Sequence, residues 1–305
     1  MNKINLTHIQ DKITTKKNLT LYLARLDQYA LPIGGNKRFK LKHNRQEAQK
    51  QKKTLLTFAY SNHLRATAIA GKEYHFKTIG IVRGEELVKK ELNKNLQFCK
   101  DQMQLTFISR LYKQLSQEQQ TDKKILSKLS EIKTEQELKK SDTYIIPETN
   151  SLAIKGCGEI IPLITNNPKR QKILQSSTPI QISCPIGTAG TIAGIISSLK
   201  EHQEEKKINI IGYPAIKTGK EETLSQIEQR TKTKTANLNI VSRKHPYGKI
   251  SEETKSFIKR FYNKHQIQLD DIYTGPMLEK IYNSDRENET IIAIHTIHHK
   301  QTSPT

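Results

Sequence analysis

Cysteine is scarce. Cys99, Cys157 and Cys184 lie far apart in 305 residues, with no C-x-x-C spacing. That pattern excludes a disulfide framework and a zinc module, and each thiol is expected to be a small buried hydrophobe. No apolar run approaches the roughly 18 residues of a membrane span, and the polar N-terminus has no signal-peptide core. The expected setting is the cytoplasm, with no membrane partner. Acidic residues are outnumbered, 30 against 51 lysines and arginines, for a formal net charge of +21. The excess is spread from Lys3 to Lys300 among glutamates, with no RNA-binding aromatic signature. A specific nucleic-acid site is therefore not expected, only weak, salt-sensitive and non-specific binding. Neither a Walker A loop nor G-x-G-x-x-G spacing occurs, and no internal repeat is present. His295, His298 and His299 have i, i+3, i+4 spacing. The run before them (Thr290 to Ile294) reads as a strand, so they would not share a helix face, and no metal site is expected.

What is present is a lysine beside a permissive turn. In Ile33-Gly34-Gly35-Asn36-Lys37-Arg38-Phe39-Lys40-Leu41 the two glycines let the backbone take positive φ and approach a bound group closely. Desolvation beside such a turn favours the neutral amine of a lysine, the form that attacks an aldehyde. Lys40 is a rival amine one helical turn further on. Tyr60-Ser61-Asn62-His63 follows, with Ser61 and Asn62 placed to open a helix through Lys72. A second loop, Gly187-Thr188-Ala189-Gly190-Thr191, joins a β-rich run to an apolar helical stretch. Backbone N–H groups of such a turn, with the helix start behind them, form an anion cup. Thr188 and Thr191 add hydroxyls. A Schiff-base lysine together with a phosphate cup describes a site for pyridoxal 5'-phosphate.

The remaining pattern alternates strand and helix. Leu55–Phe58, Lys77–Val82, Leu105–Ser109, Tyr144–Ile146, Ile180–Cys184, Ile208–Gly212 and Ile291–Ile294 read as strands. The last three are apolar runs suited to a parallel sheet buried on both faces. Residues 114–140 read as an exposed amphipathic helix pair through Ile125, Leu129 and Ile132. Ser251 caps a helix to Lys264, with Glu252 and Glu253 in its first turn. The fold class is α/β with two lobes.

These blocks, in this order, resemble the pyridoxal-phosphate-dependent family of 1-aminocyclopropane-1-carboxylate deaminase and D-cysteine desulfhydrase. That family has the two-lobed, tryptophan synthase β-like (fold type II) architecture. The resemblance rests on Gly34 to Leu41, Tyr60 to His63, Lys77 to Gly84, Tyr144 to Glu148 with Ala153 to Cys157, Gly187 to Thr191, Ile272 to Gly275, and Ala293 to Thr296. It implies a larger cofactor-binding domain over 1–51 and 146–305, a smaller inserted domain over 52–145, and a homodimer. It makes Lys37 the residue that holds the cofactor and moves the substrate proton. Asn62 would bond the ring's phenolic oxygen. Ser61, Asn62 and His63 would face the substrate carboxylate, with Ser61 aiding proton transfer. Gly187, Thr188, Ala189, Gly190 and Thr191 would bind the phosphate. Tyr273 and Tyr247 would flank the reacting carbon, and Thr296 the ring nitrogen. Thr274 stands where the cyclopropane deaminases carry glutamate. That implies a milder electron sink and the D-cysteine desulfhydrase branch, with a small amino acid as substrate. Glycine pairs usual before Ala59 and between Glu148 and Thr149 are missing, Ala189 replaces a glycine, and Ile297 follows Thr296 where glycines are usual. These departures imply the alternative of a diverged, non-catalytic relative.

Overall fold

A computed structural model of the chain describes residues 3–58, 62–109, 143–165, 180–202, 208–234, 237–243 and 249–297. Its strands are β1 (Leu6–Ile9), β2 (Thr20–Arg25), β3 (Thr54–Phe58), β4 (Thr78–Arg83), β5 (Gln104–Ile108), β6 (Thr143–Ile146), β7 (Ile180–Ile186), β8 (Ile208–Pro214), β9 (Leu238–Ile240) and β10 (Thr290–His295). Its helices are α1 (Lys12–Lys16), α2 (Gly35–Lys50), α3 (Asn62–Glu73), α4 (Lys94–Gln102), α5 (Ser151–Gly158), α6 (Ile160–Thr165), α7 (Gly190–Glu201), α8 (Lys220–Thr231), α9 (Glu252–His265) and α10 (Thr274–Tyr282). The helix pair expected over 114–140 lies outside the described residues. The chain divides into two compact units, one of Met1–Asn36 with Ile154–Thr305 and one of Lys37–Ala153.

The larger unit holds a six-stranded sheet in the order β1-β2-β10-β7-β8-β9. Every pairing is parallel except that of β1 with β2. All seven residues of β7 and all six of β10 are buried, and isoleucine dominates both, although Gln181 and Ser183 are buried polar residues within β7. One face packs Leu21, Leu23, Ile211 and Ile291 against Phe257 and Phe261 of α9 and Leu278 and Ile281 of α10. Burying each such side chain contributes about 1.5–3 kcal/mol, and α9 is held to its place by this stripe. Its N-terminus is set by Ser251, whose side chain accepts from the Thr254 N–H, and by Glu252 and Glu253 in the first turn.

The smaller unit holds a wholly parallel four-stranded sheet, β5-β4-β3-β6. Leu64 and Ala68 of α3 and Leu96 and Cys99 of α4 form its core with Val82. Cys99, Cys157 and Cys184 are all buried, as expected of small hydrophobic thiols. No helix among the described residues is long and apolar enough to cross a membrane.

Candidate active site

In open α/β sheets ligands bind beyond the carboxyl ends of the strands, where neighbouring strands diverge. The larger unit has such a place. The β10–β7 ladder ends at Ala293 and Ser183, although β7 runs on to Ile186 and β10 to His295. Pro185 lies past the last β10 partner, so the N–H it lacks is not missed on that side. The loop Gly187 to Thr191 leaves from β7 here, and Thr296 follows β10.

Ala189 takes the left-handed conformation, φ 57° and ψ −4°, immediately before α7. An L-residue adopts that turn only at a cost, so surrounding structure holds the loop in a shape that glycine would adopt freely. Ala189 gives α7 no side-chain cap, and the first turn contains no acidic residue. The opening N–H groups and the positive dipole end are thus suited to an anion.

Two residues close this edge. Asn36 donates its backbone N–H to the Thr296 carbonyl at 2.8 Å and its side-chain N–H to Thr191 Oγ1 at 2.9 Å. It therefore ties the segment that follows β10 to the first turn of α7, on the far side of the 187–191 loop. Tyr273 lies against Gly187: a Cβ placed on that glycine would stand 3.1 Å from Tyr273 Cε1 and 3.2 Å from its hydroxyl. Asp270 sets the turn that carries Tyr273. Its carboxylate accepts from the backbone N–H groups of Ile272, Tyr273 and Thr274. Hence Gly187–Thr191, Tyr273 and Thr296 come together in the larger unit. This glycine cradle, uncapped helix start and set of hydroxyl donors fit a phosphate-bearing cofactor.

Lys37, Asn62 and His63 belong to the smaller unit. Gly34 and Gly35 have φ of 58° and 61°, and α2 begins on them, which places Lys37 in its first turn. Lys37 is half-buried. Lys40 is 3% exposed and donates to Thr149 Oγ1 at 3.0 Å. The rival amine is thus engaged as an internal strut. Asn62, exposed, and His63, fully buried, open α3. Burial pulls the His63 pKa down to about 3, with the nearby Lys37 cation acting the same way. The ring is neutral, and its Nε2–H points to the Ile146 carbonyl at 3.4 Å. What His63 offers an anion is its backbone N–H at the helix start, not a charge. Ser61 and Tyr247 lie outside the described residues.

Asn36 and Asp270 carry no role in the sequence-level reading. Asn36 stood in plain view between the glycines and Lys37, but its two partners are 155 and 260 residues away in the chain, and neither register is encoded locally.

The architecture is that of the fold type II pyridoxal-phosphate enzymes. Over 96% of this chain and 89% of the other, it superposes on a crystal structure described as an ACC deaminase homologue, with a TM-score of 0.73 at 22% identity. A pyridoxal 5'-phosphate-dependent aspartate racemase matches over 98% and 91% with a TM-score of 0.66 at 12% identity. In sequence, the chain is 24% identical over 304 aligned positions to a Pyrococcus abyssi protein, covering 93% of this chain and 86% of that one. That protein carries the provisional name 1-aminocyclopropane-1-carboxylate deaminase. No protein-family profile matches. The resemblance read from the sequence blocks is thus the one that both comparisons return.

Proposed function

We propose that the chain is a pyridoxal-phosphate-dependent lyase or deaminase acting on a small amino acid. D-Cysteine, giving pyruvate, sulfide and ammonia, is the first substrate to test, and 1-aminocyclopropane-1-carboxylate, giving 2-oxobutanoate and ammonia, the second. The observation that carries this reading is the uncapped loop Gly187–Thr191 at the parting of β7 and β10, tied by Asn36 and faced by Tyr273. When bound, pyridoxal phosphate supplies an electron sink for the charge left on the substrate's α-carbon. The loop's N–H groups, with Thr188 and Thr191, would hold the phosphate. Lys37 would hold the aldehyde end, and its Nζ would move the substrate's α-proton. Asn62 bonds the phenolic oxygen. The N–H groups at the start of α3 would orient the substrate carboxylate, and the resemblance adds Ser61 to that task and to proton transfer. Tyr273 would flank the reacting carbon, a role the resemblance also gives Tyr247, and Thr296 would serve the ring nitrogen. Thr274, in place of a carboxylate, matches a substrate with a good leaving group such as thiolate.

The test is the visible absorbance of the chain purified with pyridoxal phosphate, beside Lys37→Ala. A band in the wild type that the variant lacks is expected. Turnover that persists in Lys37→Ala would sink the mechanism. A second reading, a diverged non-catalytic relative, is favoured by the alanine forced into the left-handed region at 189. It predicts that inserting Gly-Gly before Ala59 and restoring Ala189→Gly together create turnover absent from the wild type.

A further inference from the structure

A buried polar chain in the larger unit runs from Arg25 through Asp27 and His295 to Thr274, and of its members only Thr274 has a part in the roles above. His295, the last residue of β10, is 0% exposed. Its Nε2 lies 3.2 Å from the Gln268 carbonyl and 3.7 Å from Asp27 Oδ2, and its Nδ1 lies 3.1 Å from Thr274 Oγ1. Asp27 is in turn held by Arg25, through Nε at 2.9 Å and Nη2 at 2.7 Å. All of these side chains are buried.

Chemistry orders the protons along this chain. A carbonyl oxygen only accepts, so Nε2 carries the hydrogen. Arg25 already pairs with the Asp27 carboxylate, and full burial penalises a charged ring, which favours neutral imidazole. Nδ1 is then bare and accepts the Thr274 hydroxyl proton. The Thr274 backbone N–H is meanwhile given to Asp270 at 2.8 Å. Thr274 is thereby held at side chain and backbone alike, and Tyr273 is the residue before it.

We infer that His295 is a positioning residue. Through Thr274 it sets the first turn of α10 and hence the seat of Tyr273 beside Gly187, while the Gln268 carbonyl and Asp27 select its tautomer. The inference rests on the proposed role of Tyr273 for its catalytic meaning, but the bonds themselves need no cofactor.

Long-range 1H–15N NMR of the full chain with labelled histidine tests the tautomer, the signal being assigned by its loss in His295→Asn. A neutral ring protonated on Nε2 is expected between about pH 6 and 8. Thr274→Val should move the Nδ1 resonance towards that of an unbonded nitrogen and leave Nε2–H in place. An imidazolium, an Nδ1–H ring, or an Nδ1 unmoved by Thr274→Val overturns the inference. The Tyr273 ring signals, read in tyrosine-labelled chain, should shift in His295→Leu and stay in His295→Asn, whose Oδ1 still takes the Thr274 proton. Equal shifts in both, or none in either, would mean that His295 merely fills space. With active enzyme, His295→Leu should lower kcat about tenfold with little change in KM, and His295→Asn should recover most of it. Absence of the lysine-dependent absorbance band would overturn the proposed function alone, since the NMR outcomes are read without cofactor.

Discussion

At position 189 one methyl group separates this chain from the glycine that the resemblance leads one to expect there. Ala189 is 2% exposed and sits at φ 57°. Left-handed backbone costs an L-residue roughly 1–2 kcal/mol, partly offset by the freedom a glycine would gain in the unfolded chain. Ala189→Gly should therefore raise stability by about 1 kcal/mol, read as a higher urea midpoint at unchanged slope. A lower midpoint would show that the methyl's packing outweighs the strain. His63 supplies a pH dependence. Its folded pKa of about 3 lies below the ordinary 6.5, so between those values the unfolded chain binds the extra proton. The stability it contributes is complete above about pH 6.5 and is lost progressively as pH falls towards about 3. Urea midpoints of wild type and His63→Gln between those limits should converge as pH falls. Parallel curves would mean that His63 is not held neutral by burial.

The start of α10 shows how an element can be built from residues that look like a turn. Tyr273-Thr274-Gly275-Pro276 invites a loop assignment, and the sequence-level reading places no helix there. Three backbone N–H groups converge on the Asp270 carboxylate, and the Gly275 N–H reaches the Asp270 carbonyl at 2.9 Å. A Cβ on Gly275 would stand 2.3 Å from that carbonyl oxygen. Gly275→Ala must therefore displace buried backbone and should cost about 1–3 kcal/mol. Thermal unfolding measures it, and a cost below about 0.5 kcal/mol would place the substitution among ordinary surface changes. By contrast, β7, β8 and β10 were legible because parallel strands buried on both faces are rich in isoleucine, even with Gln181, Ser183 and Asn209 among them. Helix α9 was legible from the Ser251 cap and its aromatic stripe. Helix α2 escaped for the opposite reason: Lys40 and Asn44 are buried on it, and Asn44 is satisfied by the Lys40 carbonyl and the amide of Asn150. A polar core face leaves no hydrophobic period to read.

Across the whole molecule, the resemblance and the alternation of strands and helices announced a two-lobed α/β chain, whereas the insertion of the last strand between β2 and β7 was not legible. Pairings such as Ile291 with Leu21 join residues at opposite ends of the chain, and nothing local specifies them. The net charge of +21 is the other property that belongs to no single element. Some basic residues are paired within the fold and add nothing to that excess: Arg25 with Asp27, Arg38 with Glu73 and Lys255 with Glu252. Arg45 instead stacks 3.7 Å above the Tyr74 ring. A charge distributed in this way attracts a polyanion through counterion release without reading its bases. Two unrelated DNA duplexes of equal length should bind the full chain with equal affinity, and both affinities should fall by orders of magnitude between about 50 and 200 mM salt. Fluorescence anisotropy measures both. If one duplex stayed tightly bound at the higher salt, base-specific contacts would have to exist. The charge would then be a recognition surface rather than a by-product of a lysine-rich composition.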